Sequence, residues 1–241
     1  MERLSLTHGL HNLTVTLPKN RLIGVLGANG AGKSSLLKSI AGITPPTQGR
    51  IIIDGQNADN LSHRQRSQLL AYLAQEIPLR WALSVYDTIA LGLLAPLPAA
   101  AEREKVHAAA DYFSITHLLQ QQVQTLSGGE RARVHLARCL MKNAPILLAD
   151  EPIAALDPYY QIDIMQHLQY LSKHMTCVVV LHHLSLAYEF CDNIVLLKAG
   201  QLVAAGATPE VMIAENLTTA FQISATIDTD NRSIHTIRKI N

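Results

Sequence analysis

Val25–Gly42 reads VLGANGAGKSSLLKSIAG, and the order of residue types within it decides the fold. An apolar run ends in Gly27, further glycines follow at 30 and 32, and Lys33-Ser34 opens a segment whose Leu36, Leu37 and Ile40 recur at helical spacing. Gly27–Ser34 matches the pattern G-x-x-x-x-G-K-[ST] at every position. Strand, glycine loop and helix in that order build an anion cradle. Backbone N–H groups of Gly27, Ala28, Asn29, Gly30, Ala31 and Gly32 turn inward on phosphate oxygens, helped by the freedom of glycine. Lys33 supplies a point charge for the β and γ phosphates, Ser34 and Ser35 close the loop at the helix start, and the Ser34 hydroxyl suits Mg²⁺.

Outward from this loop, short apolar runs at Leu22–Leu26, Ile51–Ile53, Ile146–Ala149, Cys177–Leu181 and Ile194–Leu197 read as fully buried strands, most of them separated by helical segments. That alternation implies an α/β fold with a mainly parallel sheet, and with the Gly27–Ser34 loop in it the fold resembles the P-loop NTPase (RecA-like) class. The stretch GRIIIDGQ, with a hairpin-type Asp54-Gly55, predicts an antiparallel β portion towards the N-terminus. Residues about 78–138 carry helical stretches and little strand signal, which predicts a helical subdomain inserted into the core. The tail, about 208–241, reads as a short helix followed by a final hairpin, so residues 1–241 form one domain.

Bulk properties exclude several classes. The chain has 241 residues, 48% hydrophobic, with a formal net charge of +1 and 5% aromatic residues. That charge draws in neither nucleic acid nor anionic lipid, and few rings are available to stack on bases. No apolar run reaches the roughly 18 residues of a membrane span, and the first residues lack a secretory pattern, so a cytosolic chain is expected. Cys139, Cys177 and Cys191 sit in apolar contexts and read as buried, inert thiols.

PILLADEPIAALDP ends a buried strand in Asp150 and Glu151, at the end of the sheet where α/β proteins bind ligands. Asp150 is placed to hold Mg²⁺, and Glu151 to polarise an attacking water. Asp157 reads first as a helix N-cap. Gln75 ends an apolar run, where a lone glutamine is ordinarily surface filler. His182 and His183 follow a buried strand, where one histidine can bond a γ-phosphate or simply start a helix. A second glycine-rich tip, TLSGGERARV at 125–134, has the form of a helix N-terminus that holds an anion, with Ser127, Gly128, Gly129 and Glu130 at its mouth and no lysine.

Taken together, the order of these pieces resembles the ATPase subunit of ABC transporters from end to end. The phosphate loop comes first, then the Q-loop glutamine (Gln75) and the signature Leu126-Ser127-Gly128-Gly129-Glu130. The Walker B strand Ile146–Asp150, Glu151, the D-loop Ala155-Leu156-Asp157 and the switch histidine His182 follow. The resemblance implies a head-to-tail homodimer in which the loop of one chain and the signature helix of the other clamp one ATP. It implies Gln75 as magnesium ligand and relay, Glu151 as general base, His182 as γ-phosphate sensor and Asp157 as a contact across the dimer. It further implies integral membrane permease subunits, indirectly a substrate-binding protein, and a peripheral place on the cytoplasmic face of the inner membrane.

The departures are local. His183 stands where the family usually has Asp, and Asn20-Arg21 where it usually has Gly-Glu. No Phe, Trp or Tyr precedes Tyr72, which removes the family's adenine-stacking aromatic and leaves His8 or His11 as substitutes. Weak discrimination between nucleotide bases follows. ALSVYDTIALGLL resembles the V-x-[DE]-x-[IV]-x-x-G stretch of importer ATPases for iron-siderophores, haem and cobalamin, as does the compact ending, although Leu91–Leu94 replaces that group's Gly-Arg-x-Pro. Ile77–Pro98, with Trp81 and Tyr86, is a candidate groove for a permease helix. The alternatives in view are an ABC ATPase of another importer or an exporter, a soluble P-loop kinase or regulatory NTPase, and a nucleotide-gated scaffold.

Overall fold

The computed structural model describes residues 1–75, 82–229 and 231–239. In chain order the elements are β1 (Glu2–Ser5), β2 (Leu22–Gly27), α1 (Lys33–Ile40), β3 (Gln48–Arg50), β4 (Ile52–Ile53), β5 (Gln56–Asn57), α2 (His63–Leu69) and β6 (Leu70–Leu73). Then come α3 (Val85–Ala90), α4 (Ala99–Tyr112), α5 (Gly128–Leu140), β7 (Ile146–Asp150), α6 (Pro158–Leu171), β8 (Thr176–Val180), α7 (Leu184–Phe190) and β9 (Asn193–Lys198). The chain closes with β10 (Gln201–Ala207), α8 (Thr208–Val211), α9 (Ala214–Phe221), β11 (Ile223–Asp228) and β12 (Ser233–Lys239).

A six-stranded sheet in the order β10-β9-β2-β8-β7-β6 organises these elements. Its strands run parallel except β10, which pairs antiparallel with β9. Side chains alternate between two cores. Leu22, Leu26, Leu147, Ala149, Cys177, Val179, Ile194 and Leu196 face the core shared with α3 to α7 and α9. Ile23, Val25, Leu148, Val178, Val180, Val195 and Leu197 face a second core with α1 and the N-terminal strands. Burial on both faces is why these strands are continuously apolar in sequence.

Ile51–Ile53 departs from the expected buried strand. Only Ile52–Ile53 is strand, paired antiparallel with β5 in a separate two-stranded sheet, and Ile52 is 37% exposed while Ile51 and Ile53 are buried. Covered on one face only, it is the antiparallel portion that the Asp54-Gly55 turn predicts, with both turn residues at positive φ. Between β6 and β7 lie α3, α4 and α5. The expected groove falls partly on residues 77–81, Trp81 included, which lie outside the described residues. Tyr86 packs against the main core, and its hydroxyl donates to Glu102 Oε1 at 3.1 Å, tying α3 to α4. The tail forms the expected helix and hairpin, with β11 antiparallel to β12. Arg232 Nη2 donates to the carbonyls of Tyr188 and Cys191, pinning the hairpin to the end of α7.

The three cysteines are free and buried. Burial pushes the Cys139 thiol up to about 11 and the Cys177 thiol to about 12, so neither is a thiolate near neutral pH. His135 on α5 is also buried, and its Nδ1 has no hydrogen-bond partner among the described residues. Burial, then the nearby Arg138 and Arg131, push its pKa down to about 4. The unfolded chain therefore binds a proton near pH 6.5 that the folded chain refuses until about pH 4. This contribution to stability is complete above pH 6.5 and declines as pH falls towards 4, by up to about 1.4 kcal/mol per pH unit. Replacing His135 with Leu should flatten the fall in melting temperature between pH 7 and pH 5. An unchanged slope would show that the ring titrates alike in both states.

Candidate nucleotide site

Sheet register assembles the site. Val180 pairs with both Val25 and Asp150, and Leu73 pairs with Ala149. Gly27 and His182 lie two residues beyond Val25 and Val180, Glu151 one residue beyond Asp150, and Gln75 two beyond Leu73. Four strands thus deliver the phosphate loop and three polar side chains to one carboxyl-end rim, the ligand edge of a parallel sheet. The result is a cleft of about 710 Å³ lined by Asn29–Ser35 with His8, Gly9, Gln75, Glu151 and His182. Gly32, the N-cap of α1, has φ 97°, and a Cβ there would meet the Gly9 carbonyl at 2.0 Å. Only glycine lets the loop close against the N-terminal segment.

Lys33 is buried, and its Nζ donates to the carbonyls of Gly27 (2.9 Å) and Ala28 (3.1 Å), which holds the loop curled inward. Desolvation lowers its pKa, while Glu151 and Asp150 pull the other way. Ser34 Oγ donates to Asp150 Oδ1 at 2.8 Å, bringing a hydroxyl and a buried carboxylate together. Hard oxygen donors of this kind fit Mg²⁺, which uses one or two protein oxygens and completes its shell with phosphate and water. Among the described residues no group of three or more His, Cys, Asp or Glu could hold a metal ion by itself.

Glu151 adopts φ 53°, in the left-handed region. Its Oε2 accepts from Gln75 Nε2 at 2.8 Å, and its Oε1 lies 2.6 Å from His182 Nε2. With the carboxylate ionised, Nε2 carries the proton and donates. Gln75 and His182, each weak evidence alone, are thus both in direct contact with Glu151.

Ser127 caps α5. Its hydroxyl accepts from the Glu130 amide at 3.3 Å and donates to Glu130 Oε2 at 2.7 Å, and its backbone N donates to the same oxygen. Glu130 therefore serves the cap, with its pKa lowered by the Ser127 hydroxyl and amide bonds. Gly128 and Gly129 begin the helix, and their N–H groups have no intrahelical partner. Asp157 caps α6 by accepting from Tyr160 N at 3.1 Å, as its local sequence predicts. His183 N-caps α7, and its Nε2 lies 3.5 Å from Gln161 Nε2, which also donates to the Leu156 carbonyl at 3.0 Å. Of the two candidate substitutes for the missing aromatic, His8 lines the cleft, while His11 backs onto Gly200.

Sequence reasoning missed Tyr72. Its hydroxyl lies 3.4 Å from Asp150 Oδ2, and burial, with the Asp150 charge and hydrogen bond, pushes its pKa up to about 12. The available signal was its place in the apolar run three residues before Gln75. Gly9, whose carbonyl backs the loop, left no local pattern.

Residues 10–154 match the ABC transporter family, more than half of the chain. The chain belongs to the ABC transporter family. It is 35% identical over 231 residues to the hemin import ATP-binding protein HmuV of Bordetella pertussis, covering 90% of this chain and 88% of that one. It is 33% identical over 225 residues to the ferric enterobactin transport ATP-binding protein FepC of Escherichia coli, covering 89% and 83%. The dimeric structure of the ATP-binding cassette MJ0796 bound to ADP and Pi superposes with a TM-score of 0.77 and 26% identity, over 86% of this chain and 97% of that one. As a member of the ABC transporter family the chain is an ATP-binding, ATP-hydrolysing transport subunit, which removes the soluble kinase and the idle scaffold. Dimeric cassettes and import ATPases among its relatives suggest a dimer that works with membrane permease subunits. No helix among the described residues is long and apolar enough to cross a membrane, which fits peripheral association.

Proposed function

We propose that two copies of this chain pair head to tail and power uptake of an iron chelate of the haem or siderophore class through separate permease subunits. HmuV and FepC, similar over most of their length, support the cargo class and the inward direction. One observation carries the two-chain site. Among the described residues, the lining of the Lys33 cleft includes none of Ser127, Gly128, Gly129, Glu130 or Asp157. One chain presents a phosphate cradle and, elsewhere, a second anion-binding helix end that its own cleft does not use. A twofold arrangement brings each tip to the other's cradle and closes two equivalent sites.

In this reading Lys33 and the loop amides hold the triphosphate. Ser34, Asp150 and the Gln75 side chain hold Mg²⁺ with the phosphates, and the ion, when bound, offsets their charge. The Gly128 and Gly129 amides and the Ser127 hydroxyl of the opposite chain bind the γ-phosphate, and the α5 dipole adds about 0.3–1 kcal/mol. His182 turns from Glu151 to the γ-phosphate, and Glu151, released, takes a proton from the attacking water. The helices between β6 and β7, reached through Gln75, carry the closure to the permease as a rigid-body shift. The assembly lies on the cytoplasmic face of the inner membrane, a substrate-binding protein delivers cargo from the other side, and nucleic acid has no part.

A site built from two chains makes turnover depend on encounter. ATPase activity per chain of the purified wild-type protein should rise with chain concentration and level off once dimers dominate. Constant specific activity from dilute monomer upward would overturn the shared site. In proteoliposomes with the permease, a haem- or siderophore-loaded binding protein should stimulate hydrolysis; no response to either would overturn the cargo class alone.

A further inference from the structure

The second cradle is held from behind by a residue that no motif includes. A Cβ built on Gly129 would lie 2.3 Å from both Cδ1 and Cγ of Tyr160 and 2.6 Å from Cδ2, so the ring occupies the space a side chain needs. Gly128 is less confined: its nearest neighbour is the flexible Leu156 Cδ2, at 3.2 Å. Tyr160 is itself fixed. Its backbone N donates to Asp157, and the Arg133 guanidinium lies 5.3 Å from its ring centroid. Arg133, 13% exposed, donates through Nε to Asp163 Oδ2 at 2.8 Å, so the cation is held between a ring and an acid of the same helix. The N-terminal turns of α5 and α6 are thus joined through one aromatic ring.

We propose that Tyr160 is a positioning residue for the second phosphate cradle: seated on Gly129 and braced by Arg133, its ring sets the direction of the Gly128 and Gly129 amides and ties it to the Asp157 turn. This rests on the two-chain site proposed above. It assigns a different cause to the glycine at 129. The residue is small because its own chain fills the Cβ position, not because a phosphate must approach the backbone closely. The contact atoms are ring carbons, so the phenolic oxygen is dispensable.

A double-mutant cycle on the full chain separates the two causes. Gly129→Ala should lower kcat about thirtyfold with Tyr160 in place, although alanine is the better helix former. Tyr160→Ala alone should lower kcat three- to tenfold, and adding Gly129→Ala to it should cost no more than about twofold further. Tyr160→Phe should match the wild type. ATP affinity of the isolated chain should stay within twofold throughout, because the chain's own Lys33 loop holds the nucleotide, and a retained affinity reports a folded protein.

An equal loss from Gly129→Ala in both backgrounds would overturn the proposal and leave the two-chain site standing, with the phosphate itself demanding glycine. No loss in either background would overturn both. Should Gly129→Ala fail to fold, the Tyr160 pair decides. A drop in kcat with Ala but not Phe, at unchanged affinity, supports the proposal; wild-type kcat for Tyr160→Ala overturns it.

Discussion

Glu151→Gln should slow ATP turnover by about 10²–10⁴-fold while leaving nucleotide binding intact and stabilising the closed dimer. Glutamine has the shape of glutamate and keeps an oxygen that can accept a hydrogen bond, but it cannot take a proton from water. The backbone at 151 is already in the left-handed region, and the swap does not change what it must adopt. The carboxylate meets two donors, Gln75 Nε2 and His182 Nε2. An amide in its place keeps one acceptor oxygen and meets the other neighbour with an NH₂ group, so it loses the charge but not the shape of the contact. Binding and closure should therefore survive while hydrolysis stops. Sizing chromatography should find dimer with MgATP and monomer with ADP, and single-turnover kinetics should place the loss in the chemical step. Near-normal turnover would remove Glu151 as the base.

Lys33→Ala should weaken ATP binding about 10- to 150-fold, the cost of a hydrogen bond to a charged group at about 1.5–3 kcal/mol. At saturating nucleotide it should lower turnover a further 10²–10³-fold, the scale for removing one donor from a developing charge. Two effects combine. The phosphates lose their only lysine in the loop, and the carbonyls of Gly27 and Ala28 lose the ammonium that curls them inward. Because the Lys33 head is enclosed by its own loop, Arg should not rescue it: the planar guanidinium is larger and presents its donors differently. Equilibrium titration with a fluorescent ATP analogue measures the first effect. Affinity within twofold of wild type would show that the amides alone hold the triphosphate.

What could be read in advance was whatever chemistry leaves a local trace. Gly27–Ser34 fixes its own geometry, since strand, glycine turn and helix are consecutive. Ser127 with Glu130 and Asp157 with Tyr160 are caps spanning three residues, and both form as their sequence predicts. Four of the five parallel strands were visible because burial on two faces leaves no polar positions; β6, with Tyr72 only half-buried, was not read as a strand. By the same logic Ile51–Ile53 misled: three isoleucines suggest two covered faces, while the short hairpin there covers one. β10, with its alanines and glycine, carries too little apolar signal for an edge strand to stand out. The contacts that complete the site join distant parts of the chain. Tyr72 beside Asp150, Gly9 behind Gly32 and Tyr160 over Gly129 depend on the register of a folded sheet and the packing of two helices, and neither is written in any short window of sequence.

The paired restraint on Glu151 bears on the thrift of the whole assembly. In the reading proposed above, each oxygen of the Glu151 carboxylate holds one neighbour, and His182 leaves it only for a triphosphate that a second copy helps to grip. Under the two-chain site proposed above, a lone copy keeps Glu151 tied to Gln75 and His182, so fuel is spent only where a second copy has closed on the triphosphate.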